Sequence, residues 1–218
     1  FEMIARFGVH LASTYIDGVT DPLEKPYDLY TLIEFSGARA DSGMAANMEA
    51  LLESAFEDGL VLDATIAQSE AQRASFWKLR EGITEAQGLE GGSIKHDISV
   101  PVSAIPDFVR RATQAVIDYM PGIRPCSFGH VGDGNLHFNF TQPEGWDRKE
   151  FLSHWGKVNH IVHDIVVEMG GSISAEHGIG QLKREELRHY KPALDLDLMR
   201  SIKAALDPNG IMNPGKML

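Results

Sequence analysis

Apolar residues recur along this chain at helical and at strand spacing by turns, which predicts helices and strands interleaved from end to end. Residues 2–16 read as a helix and 17–26, with two prolines and several acids, as a loop. The run LYTLIEF at 29–35 reads as a strand, Gly37 and Ser42 lead into a helix over about 43–57, Gly59 ends it, and 61–67 alternates as a second strand. This β-α-β unit predicts half of a ferredoxin-like fold. A long helix over about 69–87, a strand at 93–100, a helix at 104–120, a hairpin at 124–141, a helix at 148–169 and a strand at 171–175 supply a second set. Residues 181–206 read as one or two helices, with Pro192 opening the second and Asp195 and Asp197 suiting its dipole rather than a metal. The expected class is α+β: a largely antiparallel sheet of ferredoxin-like units with helices on one side, a main domain over 1–180 and a helical segment over 181–218.

One segment stands out, Gly129-His130-Val131-Gly132-Asp133-Gly134-Asn135-Leu136-His137. Asp-Gly is a strong signal for a two-residue type I′ turn, which places His130 directly opposite His137 with Cβ atoms roughly 5 Å apart. Two imidazoles that close can share a metal ion. A third ligand is offered by Gly171-Ser172-Ile173-Ser174-Ala175-Glu176-His177-Gly178, where Glu176 and His177 stand at a strand end before a glycine exit. His130, His137 and Glu176 make the nitrogen and oxygen set of a catalytic zinc, manganese or iron centre, and His177 is then spare to act as a general base. The same residues also fit a surface or core histidine pair and a helix cap.

Other candidates carry less. His160 and His163 lie three apart on a helix with an apolar face and read as structural, His96 should point away from the face that carries Lys95, and Phe76 and Trp77 read as core. With 43% hydrophobic residues in 218 positions there is material for one substantial core. The net charge of −11 speaks against nucleic acid and disfavours an anionic substrate unless basic groups gather locally. No apolar run reaches the roughly 20 residues that cross a bilayer. A single cysteine, Cys126, fits a reducing compartment and sets the expectation of a cytoplasmic protein. The chain opens at Phe1 without an initiator Met, so a fragment of a longer protein is expected, and a targeting peptide can have preceded it.

Five stretches together resemble the C-terminal half of the flavin-linked D-2-hydroxyacid dehydrogenases, the group that includes D-2-hydroxyglutarate dehydrogenase, D-lactate dehydrogenase and the glycolate oxidase D subunit. They are Phe76-Trp77-Lys78-Leu79-Arg80-Glu81, Lys95-His96-Asp97-Ile98-Ser99-Val100-Pro101, the histidine hairpin, Ser174-Ala175-Glu176-His177-Gly178-Ile179-Gly180, and Asp207-Pro208-Asn209-Gly210-Ile211-Met212-Asn213-Pro214-Gly215-Lys216. They follow in the family's order over nearly the whole chain. The resemblance implies that His130, His137 and Glu176 hold a divalent metal and that His177 is the catalytic base. It further implies that Arg80, Thr84, Lys95 and Asn139 hold the substrate, that Asn213 meets the flavin ring, and that 181–218 returns towards a flavin-binding domain. Arg supplies a planar fork for a carboxylate, Lys a point charge and Thr a hydroxyl, the equipment a dicarboxylate requires.

The implied reaction is oxidation of a 2-hydroxy acid by hydride transfer to FAD, with an electron-acceptor protein or a quinone downstream; a homodimer is a further expectation. The glycine-rich pyrophosphate loop of a flavin domain does not occur in these residues, because Gly129-x-x-Gly132-x-Gly134 lacks the strand-Gly-x-Gly-x-x-Gly-helix order. Two other readings of the site stand beside this one: a metal-dependent hydrolase, and a non-catalytic metal-binding or dimerisation module.

Overall fold

The computed structural model describes residues 1–37, 39 and 43–218; Ser42, expected to lead into a helix, lies outside these residues. Six strands form one antiparallel sheet: β1 (Glu2–Ala5), β2 (Leu29–Leu32), β3 (Ser93–Ile94), β4 (Asp97–Ser99), β5 (Arg124–Gly129) and β6 (Asn135–Thr141). Their order is β2-β1-β5-β6, with β3 and β4 both on the far edge of β6. The helices are α1 (Arg6–Tyr15), α2 (Met44–Glu57), α3 (Glu70–Glu90), α4 (Ile105–Tyr119), α5 (Arg148–Ser153), α6 (Trp155–Glu168), α7 (Arg184–Tyr190) and α8 (Ala193–Leu206). The expected α+β class with an antiparallel sheet is what the chain forms.

Helices cover both faces of the sheet, not one. Along β6, Leu136, Phe138 and Phe140 face α4 and α6, where Phe108, Ala112, Val116, Val158, Val162 and Val166 complete the larger core. The ring of Phe108 lies 4.9 Å from that of Phe138. On the opposite face Ile4, Cys126 and Phe128 pack under α1 and α3 with Val9, Leu11, Leu79 and Ile83. Residues directly opposed on neighbouring strands share a face. Phe128 is opposite His137 and Cys126 opposite Asn139, so His137 and Asn139 look towards α3.

Local signals account for three of the helix starts. Ser69 caps α3 by accepting the Gln72 N–H at 3.2 Å, and Asp147 caps α5 by accepting the N–H groups of Lys149 and Glu150. Pro192 stands at the N-cap of α8, as its position in the sequence predicts.

Four differences from the sequence reading bear on the site. Residues 2–5 are a strand, because pairing with β2 and β5 overrides the helix propensity of Glu2, Met3 and Ala5. The first β-α-β unit does not form: no side chain of α2 is buried, and residues 61–67 have no strand partner among the described residues. The strand expected over 93–100 keeps one register, Ile94 opposite Phe140 and Asp97 opposite His137, but is interrupted at Lys95 and His96. There the His96 N–H goes to the Asn139 side chain at 3.1 Å, and the His96 ring meets the Phe138 carbonyl at 2.7 Å. Finally, residues 171–175 make a single bridge, Ser172 to Ser99, rather than a strand.

Burial sorts three further side chains. His163 is buried against His96, ring centroids 5.6 Å apart, whereas His160 is exposed. Trp77 is only half-buried, its indole N–H donating to Glu34.

Candidate metal centre

His130 and His137 meet, although the turn between them is not the expected one. β5 ends at Gly129, Phe128 rather than His130 opposes His137, and residues 131–133 form one turn of 3-10 helix. Of the two residues expected at the centre of the turn, Asp133 and Gly134, only Gly134 takes positive φ, at 78°. A Cβ there would collide with the carbonyl oxygen of Val100, whose N–H donates to the Gly134 carbonyl at 3.0 Å. The two-residue shift in register keeps the parity of the faces. His130, just beyond the strand, therefore still swings its ring to 6.4 Å from that of His137.

Glu176 arrives from the loop after the Ser172 bridge. Its Oε1 lies 3.4 Å from His130 Nε2 and its Oε2 3.8 Å from His137 Nε2. One donor atom from each of the three residues lies within 4.8 Å of the other two. Around a tetrahedral zinc at about 2.1 Å, donor atoms stand about 3.4 Å apart, so the spacing fits a divalent cation. Among the described residues no hydrogen bond joins these three side chains; both imidazoles face the Glu176 carboxylate at ion-pair distance. Asp97, His137 and His177 form a second grouping within the same 4.8 Å limit.

Asp97 and Glu2 were not singled out by the sequence. Asp97 is buried, and its Oδ2 accepts the backbone N–H groups of Glu176 at 2.9 Å and His177 at 2.8 Å, which holds the loop against β4. Burial alone would raise the Asp97 pKa, but those two hydrogen bonds, together with the nearby His177 and Lys183, outweigh it and the pKa is lowered. His177 is exposed, with Nδ1 3.7 Å from Asp97 Oδ2 and its ring stacked 5.7 Å from that of His137. Burial, and after it the charge of Arg80, lowers the pKa of His137 and favours the neutral ring a metal requires. Glu2 follows from the β1 register: Met3 opposite Gly129 brings Glu2 alongside His130, where its Oε1 meets His130 Nδ1. Its other oxygen accepts Arg80 Nε at 2.6 Å.

The residues expected to hold substrate fall into two groups. Arg80, 8% exposed, lies over the Phe128 ring at 4.7 Å; Nε is taken by Glu2, and among the described residues its terminal nitrogens make no hydrogen bond. Thr84, one helical turn further along α3, and Lys95 are exposed, and their side chains are in no hydrogen bond or ion pair among the described residues. Asn139 is buried and committed to the fold: Oδ1 accepts the His96 N–H and Nδ2 donates to Gln87 at 2.8 Å. Asn213 stands apart, at φ 45° in a C-terminal loop tied back by the Met217 N–H to the Gly180 carbonyl at 2.7 Å and by Arg184 to the Gly215 carbonyl at 3.1 Å. A cavity of about 250 Å³ lined by Ser99, Asp133, Asn135, Ala175 and Glu176 opens beside the centre.

An antiparallel α+β domain that gathers two imidazoles and a carboxylate at one sheet end, next to a half-free arginine, has the layout of a small-molecule domain with a cation site. The chain belongs to the family described as FAD linked oxidases, C-terminal domain, which matches residues 1–217. The D-2-hydroxyglutarate dehydrogenase of Stutzerimonas stutzeri is 40% identical over 202 residues, covering 91% of this chain and 42% of that protein. Mitochondrial D-2-hydroxyglutarate dehydrogenases of Arabidopsis thaliana and Rattus norvegicus are each 38% identical, over 218 and 206 residues, covering 100% and 92% of this chain and 37% and 36% of those proteins. The chain thus spans about two fifths of the length of these relatives. The word mitochondrial in the plant and animal names overturns the expectation of a cytoplasmic protein, which rested on one unpaired cysteine. No helix among the described residues is long and apolar enough to cross a membrane.

Proposed function

We propose that this chain is the substrate- and metal-binding part of an FAD-dependent dehydrogenase that oxidises a D-2-hydroxy acid, D-2-hydroxyglutarate by the names of its relatives, to the 2-oxo acid. The observation that carries the proposal is the convergence of His130, His137 and Glu176 within 4.8 Å in a chain of this family. His130 Nε2, His137 Nε2 and a Glu176 oxygen would hold the divalent ion, with zinc best suited to the donor set and manganese or iron also compatible. Bound there, the ion supplies Lewis acidity to the C2 hydroxyl, and the flavin, held mainly by another part of the protein, supplies the hydride acceptor.

The chain's own residues do the rest. Arg80 presents its terminal nitrogens, and Thr84 and Lys95 a hydroxyl and a positive charge, to the two carboxylates of the substrate. These cations answer the net charge of −11, which would otherwise repel a dianion. His177 takes the C2 hydroxyl proton at Nε2, while Nδ1 faces Asp97. Asn139 contributes by fixing the Lys95–His96 interruption through the His96 N–H, in addition to the direct contact that the family resemblance implies. Residues 1–180 form the binding unit, and 181–218 carry Asn213 towards the flavin ring.

The test is flavin reduction in the full-length protein. D-2-hydroxyglutarate should bleach the flavin of the metal-replete enzyme. The His177→Asn variant should do so about 10²- to 10⁴-fold more slowly, the range for loss of a general base. Bleaching at an unchanged rate by a chelated enzyme, or by the variant, would refute the assignment.

A further inference from the structure

Glu2 is 2% exposed, and a carboxylate buried that deeply is tolerated only when its charge is matched. Its two oxygens have two different partners: Oε2 accepts Arg80 Nε at 2.6 Å, and Oε1 meets His130 Nδ1. An imidazole has one proton to place, and the contact made by one nitrogen decides what the other can do. With Nδ1 against a carboxylate, the proton belongs on Nδ1. Nε2, 3.4 Å from Glu176 Oε1, is then left with its lone pair directed at the centre.

We propose that Glu2 is a positioning residue for the metal centre, holding His130 as the Nδ1–H tautomer and, through its second oxygen, fixing the guanidinium of Arg80 beside it. The inference rests on the metal reading given above. One carboxylate thereby joins a metal ligand to the residue that would hold a substrate carboxylate. The joint depends on β1: the register that sets Met3 opposite Gly129 brings Glu2 to His130, so a chain with a helix at residues 2–5 would not make it. Carboxylates behind metal-bound histidines set ring orientation and tautomer, and losing one weakens metal binding by about 10- to 100-fold. Glu2→Gln is the informative substitution, because both partners of Glu2 are N–H donors and an amide offers one oxygen where two are needed.

The experiment uses the full-length protein and zinc as the probe, with dissociation constants from competition against a chromophoric chelator. Glu2→Gln should bind zinc about 10- to 100-fold more weakly than the parent. In the zinc-loaded parent, long-range ¹⁵N–¹H spectra should show the His130 proton on Nδ1. Binding by Glu2→Gln within twofold of the parent, or a proton on Nε2 of His130, overturns the inference while leaving the metal reading intact. The parent spectrum decides the question even if the variant fails to fold. A parent that binds no zinc overturns the metal reading and this inference together.

Discussion

Replacing Asp97 by Asn tests whether one buried carboxylate keeps the Glu176–His177 loop in place. In the native chain Asp97 Oδ2 accepts two backbone N–H groups, at 2.9 and 2.8 Å, and Asp97 Oδ1 has no partner among the described residues. Asn keeps an oxygen for the two donors but removes the charge. Charge-assisted hydrogen bonds are about twice as strong as neutral ones, so each loses about 1 kcal/mol. The amide nitrogen replaces an Oδ1 that already lacks a partner, so one unpaired buried atom is exchanged for another and the total stays at about 2–3 kcal/mol. Because Glu176 and His177 are themselves exposed, this cost appears as loop opening rather than global unfolding. At about 1.4 kcal/mol per decade, amide hydrogen exchange at residues 176 and 177 should accelerate about 30- to 150-fold, and zinc affinity should fall by a similar factor. Unchanged exchange at those two amides, with zinc affinity within twofold of the parent, would refute the reasoning.

Two further outcomes follow from the larger core. Burial lowers the pKa of His96 to about 4 and that of His163, which also faces His96, to about 3. Both therefore stay neutral in the fold while the unfolded chain protonates near pH 6.5. Stability is fully present above about pH 6.5 and falls as the pH drops towards about 4, by about 1.4 kcal/mol per pH unit for each histidine, and a urea-melt series across that range should show the slope. A flat profile would contradict the neutral pair. Phe138→Ala removes a ring packed 4.9 Å from Phe108 and 5.1 Å from Phe140, and should cost about 3–5 kcal/mol in the same melts; a loss below 1 kcal/mol would mean that this core is not as tight as described.

The elements that could be read from sequence were those whose local pattern and burial agree. In α4 the apolar positions Ile105, Phe108, Ala112 and Val116 lie on one helical face that meets the sheet, so periodicity and tertiary structure coincide. At residues 2–5 they conflict: the residues favour a helix and the partners impose a strand, and the pairing with β2 and β5 decides. Residues 61–67 show the opposite error, since alternation marks a strand only where a neighbouring strand accepts its hydrogen bonds.

In the site, His130, His137, Glu176 and His177 were legible because they sit in glycine-rich punctuation unlike the rest of the chain. His130 and His137 come together although the expected turn does not form, since a shift of two residues preserves which face each side chain takes. Glu2 and Asp97 were not legible, because each acts through partners far away along the chain, Glu2 through Arg80 and His130 and Asp97 through the Glu176 and His177 amides. Asn139 was readable as polar and near the centre. Its engagement with the His96 N–H and Gln87 depends on the interruption between β3 and β4, which no local signal announces.

The most direct test of the central claim is the zinc content of the protein purified without chelator, measured beside His130→Ala and Glu176→Ala. Near one equivalent in the parent, falling well below that in both variants, is the expected result, since each variant removes one of the three converging donors. A parent without bound metal, or variants that keep a full equivalent, would contradict the assignment of His130, His137 and Glu176 as a metal centre.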